Sequence, residues 1–206
     1  CGLAFRAPSI RDYVIDYRSG EVALHLDCSS IMEPYDIHDP AMDPMAAPDA
    51  ASAVANSGFG AAYTAHFDMS VEMKGWLQLG ARRFAIDCVS TMDHSWGPRP
   101  ETGIHPILWL NAHFDRENAV HAIFAVNRTA PAGQQHVFKH GYALVDGKVR
   151  GATAGRVLAH RPGLFPAAME VSVTDCDGRE HRLAGAVLAR HRWTPYGNNV
   201  TANSMT

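Results

Sequence analysis

The chain has 206 residues, of which 47% are hydrophobic and 19% are charged, and its formal net charge is -3. This length and hydrophobic content predict a packed globular domain and argue against a disordered chain. The small net charge gives no electrostatic reason to expect nucleic acid or an anionic membrane as a partner. No apolar run reaches the roughly 20 residues of a membrane-spanning helix, so we expect no membrane span.

The four cysteines are widely and irregularly spaced, and none forms a C-x-x-C pair. This spacing argues against a zinc knuckle and against a dense disulfide scaffold. We therefore expect reduced, mostly buried thiols and a cytoplasmic protein.

The first clear strand pattern covers residues 20–30, GEVALHLDCSS, where apolar and polar side chains alternate. Strict alternation predicts a strand with one buried face and one solvated face. Residues 32–60 break the pattern with a long run that is rich in Pro, Ala, Asp and Gly and could hold one helical turn in PDAASAVA. Loops of this length are uncommon, so we interpret the segment as either a surface insertion or a lid over a barrel mouth.

Residues 66–75, HFDMSVEMKG, alternate again and place Asp68 and Ser70 on the solvated face. A further strand is predicted for RRFAIDCVSTMDHSW, residues 82–96, which runs into the turn GPRPETG. The segment IHPILWLNAHFD, residues 104–115, is interpreted as the returning strand. If these two strands pair as a hairpin, their polar and aromatic faces can line one cavity.

Two hairpin turns are predicted in the second half of the chain. Asp146-Gly147 separates HGYALV from KVRG, and Asp177-Gly178 separates EVSVTDC from REHRLAGAVLARHRW. No window shows sustained helical amphipathicity. The chain is therefore predicted to be a single all-β domain over residues 1–206, antiparallel, with strands as long as those of a β-barrel.

Residues 90–99, STMDHSWGPR, place an acid, an imidazole, a hydroxyl and an indole in four consecutive positions. Side chains two apart on a strand share a face, so His94 and Trp96 project together, opposite Asp93 and Ser95. One face of the returning strand carries Leu108, Leu110, Ala112 and Phe114, and the other carries Trp109, Asn111, His113 and Asp115. A face that mixes these polar and aromatic types fits the wall of a ligand cavity.

Such a face can support acid–base chemistry on an apolar molecule. An imidazolium or carboxylic acid can protonate an alkene or carbonyl, and an indole can stabilise the cation that forms. We name as candidate catalytic residues His94, Asp115, His113 and Asp93, and as candidate substrate-binding residues Trp96, Trp109, Asn111 and Tyr142. The structural alternative is that Asp93 and Ser95 cap the turn and Trp96 packs at a corner.

Metal motifs are weak in this sequence. Twelve histidines are present, but no H-x-H or H-E-x-x-H pattern occurs. We therefore expect no metal and no cofactor, although a zinc or iron site assembled from distant strands, as in cupin barrels, stays open. No glycine-rich phosphate loop is present, and Ser95 does not lie in a G-x-S-x-G motif.

The stretch from Asp93 to Gly97, followed by Pro98 and Arg99, resembles the D-H-S-W-G-x-R signature of the hydroxyneurosporene synthase (carotenoid hydratase)-like superfamily. The resemblance extends over residues 66–150 and includes WLNAHFDRENAVHA and HGYALVDGKVRG. It implies a calycin fold built from two successive lipocalin-type domains. The motif belongs to the second of these, so we expect a preceding domain in a chain that begins with Cys rather than Met.

The resemblance also implies the handling of hydrophobic ligands and a set of functional residues. In carotenoid hydratases a His-x-Trp pair works with a downstream aromatic-x-Asp pair. His94-x-Trp96 matches the first pair, and His113-x-Asp115 matches the second approximately, with His where Tyr is expected. Met92 stands where bacterial relatives usually carry Arg.

Two principal hypotheses follow for function. The first is a cofactor-independent lyase or isomerase of the hydration, dehydration or cyclisation type, acting on a hydrophobic isoprenoid, steroid-like or aromatic small molecule. The second is a non-catalytic carrier of a lipid or terpenoid that uses the same cavity. A weaker third hypothesis is a scaffolding module, and a homo-oligomer is compatible with all three.

Overall fold

The computed structural model describes residues 2–46, 49, 65–97, 106–131, 133–162, 165–193 and 200–205, with side chains described up to residue 191. Within these residues all regular secondary structure is β-strand, and every strand pairing is antiparallel. The described part of the chain holds no helix long and apolar enough to cross a membrane. The prediction of an all-β antiparallel fold is confirmed.

The first sheet is formed by the N-terminal strands. They are β1 (Gly2–Arg6), β2 (Asp12–Ser19), β3 (Val22–Ser30), β4 (Tyr35–Asp36), β5 (Ala65–Leu79) and β6 (Arg82–Trp96). Strands β3 and β4 pair with one edge of β5, and β6 pairs with the other edge over its whole length. Gly80 closes the β5–β6 hairpin with a φ of 58°, a conformation that glycine adopts without steric strain.

The second sheet is a seven-stranded meander. Its strands are β7 (Ile107–His113), β8 (Ala119–Val126), β9 (His136–Val145), β10 (Lys148–His160), β11 (Ala168–Asp175), β12 (Glu180–Trp193) and β13 (Val200–Met205). Both predicted hairpins are confirmed. Asp146 and Gly147 join β9 to β10 with φ values of 51° and 71°, and Gly178 lies in the β11–β12 turn with a φ of 81°.

The second sheet curls around a core of its own, as a half-barrel does. One face of β8 and β9 packs with side chains from β10 and β11 in a cluster of Val120, Ala122, Phe124, Ala143, Ala152, Val157, Met169, Val171 and Val173. The opposite face of β8 and β9 packs against the first sheet through Ala119, Tyr142 and Leu144. Both faces of these two strands are therefore buried, and the arrangement is that of a lipocalin-like barrel or sandwich.

The first sheet also buries both faces of one strand, and this corrects a prediction. Residues 66–71 of β5 are buried without exception, including Asp68 and Ser70. Alternation predicted that these two side chains face water, but the second sheet covers them. A pattern within one strand indicates two chemically different faces, and it cannot show that both are covered by protein.

The described part of the long loop joins the two sheets. The Tyr35 hydroxyl donates a hydrogen bond of 2.9 Å to the carbonyl oxygen of Gly141 in β9. A Cβ on Gly151 of β10 would lie 2.3 Å from the carbonyl oxygen of Met42, so this segment packs tightly on the second sheet. Residues 47–48 and 50–64, with nearly all of the helical turn predicted in PDAASAVA and most of the hypothetical lid, lie outside the described residues.

Two further expectations are corrected. Strands β6 and β7 do not form a hairpin, because β6 pairs with β5 and β7 pairs with β8 in the other sheet. Among the described residues the thiols are free but not mostly buried, since Cys28 is buried whereas Cys88 and Cys176 are exposed.

Candidate functional site

The β5–β6 hairpin carries chemistry on both of its faces. Phe67 pairs with His94 in the strand register, and the next pair along is Asp68 with Asp93. Paired residues in antiparallel strands project from the same face, and the next pair along projects from the other. The hairpin therefore separates an aromatic histidine site from a histidine–carboxylate site in which His66 and Asp68 are buried and the Asp93 side chain is 30% exposed.

The first site, which we call the aromatic cluster, consists of Tyr13, Phe67, His94 and Trp96. The centre of the His94 ring lies 5.1 Å from the ring of Phe67, 5.3 Å from that of Trp96 and 6.5 Å from that of Tyr13. Tyr13 and Phe67 are buried, whereas Trp96 is 51% exposed. The cluster therefore has a closed aromatic base and one accessible indole next to the imidazole.

A further aromatic ring extends this surface toward solvent. The Phe5 ring lies 5.4 Å from that of Tyr13, and Phe5 is itself 48% exposed. Exposed aromatic side chains beside a histidine are typical of a surface that binds an apolar molecule.

The second site, which we call the interface cluster, consists of His66, Asp68, Asp93 and His121. His66 donates from Nε2 to Asp68 Oδ2 across 2.9 Å, and its Nδ1 lies 3.7 Å from Asp93 Oδ1. His121, from β8 of the second sheet, places its Nε2 3.2 Å from the same Asp68 oxygen. Asp68 and His121 are each 1% exposed, so two histidines from different sheets meet one carboxylate away from water.

The interface cluster keeps its central carboxylate charged. Burial alone would raise the pKa of Asp68, but the positive charge and hydrogen bonds of His121 and His66 outweigh it and hold that pKa below its ordinary value. The neighbouring His140 is also buried, and burial lowers its pKa to about 3. At neutral pH Asp68 is therefore ionised and His140 is neutral.

Polar side chains around the interface cluster fix its geometry. The Asn111 carbonyl oxygen Oδ1 lies 2.7 Å from His121 Nδ1 and accepts a hydrogen bond from it. Tyr142 is fully buried, and its hydroxyl lies 3.1 Å from the Ser70 hydroxyl. Burial raises the pKa of Tyr142, so the phenol stays protonated.

His113 lies at the edge of the same interface. Its Nε2 is 3.3 Å from the Thr91 hydroxyl and 3.4 Å from the Ser70 hydroxyl, and burial lowers its pKa. Asp115 lies beyond it in the exposed β7–β8 turn, where Oδ1 accepts the backbone N–H groups of Glu117 and Asn118 at 2.7 Å each. These hydrogen bonds lower the pKa of Asp115 and assign its carboxylate to the turn.

The structure divides the sequence-predicted residues into three groups. His94 and Trp96 lie together in the aromatic cluster, and Asp115 lies in an exposed turn. The others, which lie in or beside the interface cluster, are Asp93, His113, Trp109, Asn111 and Tyr142. The face predicted to carry Trp109, Asn111 and His113 therefore exists, but it lies across the β5–β6 hairpin from His94.

Sequence analysis missed His66, Asp68, His121 and His140. A usable signal was His66-x-Asp68, because that spacing on a strand places an imidazole and a carboxylate on one face. His121 and His140 gave no comparable signal, since they reach the cluster through the stacking of the two sheets.

These features define an all-β protein whose two stacked sheets enclose a histidine–carboxylate cluster and whose first sheet presents an aromatic histidine site. The chain belongs to the family described as Domain of unknown function (DUF7064), which matches residues 2–206. No curated protein and no solved structure matches the chain significantly.

Proposed function

We propose that the protein is a cofactor-independent lyase or isomerase that hydrates, dehydrates or cyclises a hydrophobic isoprenoid, steroid-like or aromatic small molecule by acid–base catalysis. The observation that carries this proposal is the enclosure of the His94 imidazole by three aromatic rings, one of which is half exposed. An imidazole beside aromatic rings combines a proton donor with groups that stabilise a carbocation.

Hydration of an alkene illustrates the proposed chemistry. The His94 imidazolium donates its proton to one alkene carbon and leaves a cation on the other. The rings of Trp96 and Phe67 stabilise that cation without attacking it, each by about 0.5–2 kcal/mol. Water then adds to the cation, and the oxonium formed returns a proton to the neutral His94 imidazole. The enzyme ends in its starting protonation state, and dehydration is the reverse sequence.

The resemblance to carotenoid hydratases supports this assignment at His94-x-Trp96. It does not extend to a joint role for His113-x-Asp115, because His113 contacts Thr91 and Ser70 on the opposite face of the hairpin. We therefore propose that His94 serves as both acid and base. The free thiols Cys28, Cys88 and Cys176 support a cytoplasmic location as part of the proposal.

The carrier function is the second candidate, and the exposure of Phe5 and Trp96 favours it. Exposed aromatic rings would bind an apolar ligand whether or not a reaction follows. A carrier has no use for the imidazole of His94, so the two functions differ in what the loss of that imidazole does.

An isotope experiment distinguishes the enzyme from the carrier. The protein is incubated in H₂¹⁸O with linear isoprenoid alkenes, steroids and flavonoid-like aromatics, and products are screened by mass spectrometry for incorporated ¹⁸O. We expect at least one substrate to gain ¹⁸O with the wild type, and incorporation to fall by about 10²–10⁴-fold in His94→Phe. His160→Ala, at an exposed histidine near the end of β10, is the matched control and keeps full activity. Binding of a candidate with no ¹⁸O incorporation, no loss of water and no cyclised product would contradict the enzyme and leave the carrier.

A further inference from the structure

Three residues of the interface cluster, His66, Asp68 and Asp93, have the composition and spacing of a metal site. One ligand atom each from His66, Asp68 and Asp93 can be chosen so that all three lie within 4.8 Å of one another. Around a tetrahedral zinc ion, with bonds of about 2.0–2.2 Å, ligand atoms lie roughly 3.3–3.6 Å apart. A contraction of about 1 Å would therefore bring these atoms to coordination distance.

His121 lies next to this group of three and offers a further ring nitrogen beside Asp68. Its Nδ1 donates a hydrogen bond to the Asn111 oxygen across 2.7 Å, so Nε2 is the ring nitrogen that faces the cluster. That nitrogen lies 3.2 Å from the ionised Asp68 Oδ2. A metal-ligating histidine characteristically donates its other ring N–H to an oxygen acceptor, as His121 does to Asn111.

Asp68 provides an independent observation. Its Oδ1 is fully buried and has no hydrogen-bond partner among the described residues, although the side chain is only 1% exposed. A buried carboxylate oxygen without a donor is costly, and a metal ion would satisfy it. The two carboxylates of Asp68 and Asp93 would also balance the charge of a divalent cation.

We propose that His66, Asp68, Asp93 and His121 form a site for a divalent first-row transition metal ion that joins the two sheets. Two imidazoles and two carboxylates suit zinc, which favours four such ligands, and zinc is the probe we choose. The ion would connect β5 and β6 of the first sheet to β8 of the second. The site revises the sequence-based expectation of no metal, and it does not rest on the proposed function, because His94 lies on the other face of the hairpin.

Metal content and thermal unfolding test the site directly. Protein purified without chelator should hold about one first-row metal ion per chain. After removal of the metal, excess zinc should raise the melting temperature by about 5–10 °C at a concentration near 100 times the dissociation constant. Cobalt(II) added to the metal-free protein should give the intense visible absorption of a four-coordinate ion.

Variants locate the ion. Asp93→Asn and His66→Gln should each weaken zinc binding by more than tenfold, and Asn111→Ala should weaken it by about 10–100-fold, the usual effect of losing a hydrogen bond behind a ligand. His25→Gln is the matched control, because His25 also lies between two carboxylates, Asp16 at 2.7 Å and Asp27 at 3.3 Å, on an exposed surface. It should leave zinc binding unchanged.

Two outcomes would overturn the proposal. One is a wild-type protein that holds no stoichiometric metal and has the same melting temperature with and without zinc. Its cobalt spectrum would then be that of a weakly bound six-coordinate ion. The interface cluster would then be an imidazolium–carboxylate ion pair. The other is an equal loss of zinc binding in His25→Gln and Asp93→Asn, which would place the ion at the surface. Because these measurements use no substrate, they stand whether or not the proposed reaction is found.

Discussion

Asp93 and His94 are neighbours in the chain, and their side chains project from opposite faces of the β5–β6 hairpin. The Asp93 carboxylate lies 3.7 Å from His66 in the interface between the sheets, whereas the His94 ring stacks at an angle 5.1 Å from Phe67. Both side chains come from the same signature stretch, yet they reach different environments because successive strand residues alternate. His94 therefore lies on the face of the proposed chemistry, and Asp93, whose side chain is 30% exposed, lies on the face toward the second sheet.

The first prediction concerns packing around His94. His94→Phe should change the melting temperature by only about 2 °C, because a phenyl ring preserves the contacts with Phe67 and Trp96. Phe67→Ala is the comparison, since truncating this buried ring should cost about 3–5 kcal/mol. Thermal and urea unfolding of the two variants measure the difference. If His94→Phe destabilises the protein as much as Phe67→Ala does, the His94 imidazole itself stabilises the fold.

The second prediction concerns Trp96. Its indole is 51% exposed and meets His94 edge-on at 5.3 Å. Trp96→Phe should retain part of the cation stabilisation and lower turnover less than tenfold, whereas Trp96→Ala should lower it by about 10–100-fold. Steady-state rates on the substrate identified by ¹⁸O labelling provide the test. Indistinguishable rates for the two variants would show that the ring face contributes nothing.

The third prediction is a pH dependence that originates at Asp43. Burial raises the pKa of Asp43 to about 7 from its ordinary value of 3.8, although the backbone N–H of Met45 donates to its Oδ1 across 2.8 Å. The folded state therefore binds more protons than the unfolded chain between these two pH values. The free energy of unfolding falls as pH rises through this window, by about 4 kcal/mol in total once the pH exceeds 7.

Asp43→Asn should remove this dependence, because the amide keeps the acceptor for Met45 and cannot ionise. The measurement is urea unfolding of wild type and variant at pH 5 and pH 8. The stability of the variant relative to the wild type should increase by about 2–3 kcal/mol between pH 5 and pH 8, because most of the window lies between these values. If the difference between the two proteins is the same at both pH values, Asp43 does not titrate in this range.

The fourth prediction tests the contact between the long loop and the second sheet. A Cβ at Gly151 would lie 2.3 Å from the Met42 carbonyl oxygen and 2.4 Å from the Pro44 ring, so backbone must move. Gly151→Ala should destabilise the protein by about 1–3 kcal/mol. Gly2→Ala is the control, because the added methyl meets nothing within 4 Å. If Gly151→Ala leaves the free energy of unfolding unchanged, the loop segment with Met42 and Pro44 does not pack against β10.

Local signals in the sequence predicted local structure well. Asp146-Gly147 predicts its hairpin because the turn needs two residues at positive φ, and this requirement acts within four residues. Alternation likewise separated Asp93 from His94 correctly. The partner of β6 could not be predicted in the same way, because sheet membership depends on contacts between distant parts of the chain.

The interface cluster could not be predicted from the sequence for a related reason. The sequence pattern predicts that Asp68 faces water, since an acid that alternates with apolar residues on a strand is typical of an exposed face. Its burial depends on the stacking of β8, which supplies His121. A polar residue in a strand therefore marks a chemically distinct face, and only the packing of the second sheet decides whether that face meets water.

The most direct test of the central claim is the source of the proton in the proposed reaction. The substrate identified by ¹⁸O labelling is converted in D₂O by wild type, His94→Phe and Asp93→Asn, and deuterium in the product is measured by mass spectrometry. The wild type and Asp93→Asn should place one deuterium on the carbon next to the new hydroxyl-bearing carbon, while His94→Phe should give about 10²–10⁴-fold less product. Full labelling by His94→Phe together with loss of product in Asp93→Asn would contradict the account and place the chemistry on the interface face of the hairpin.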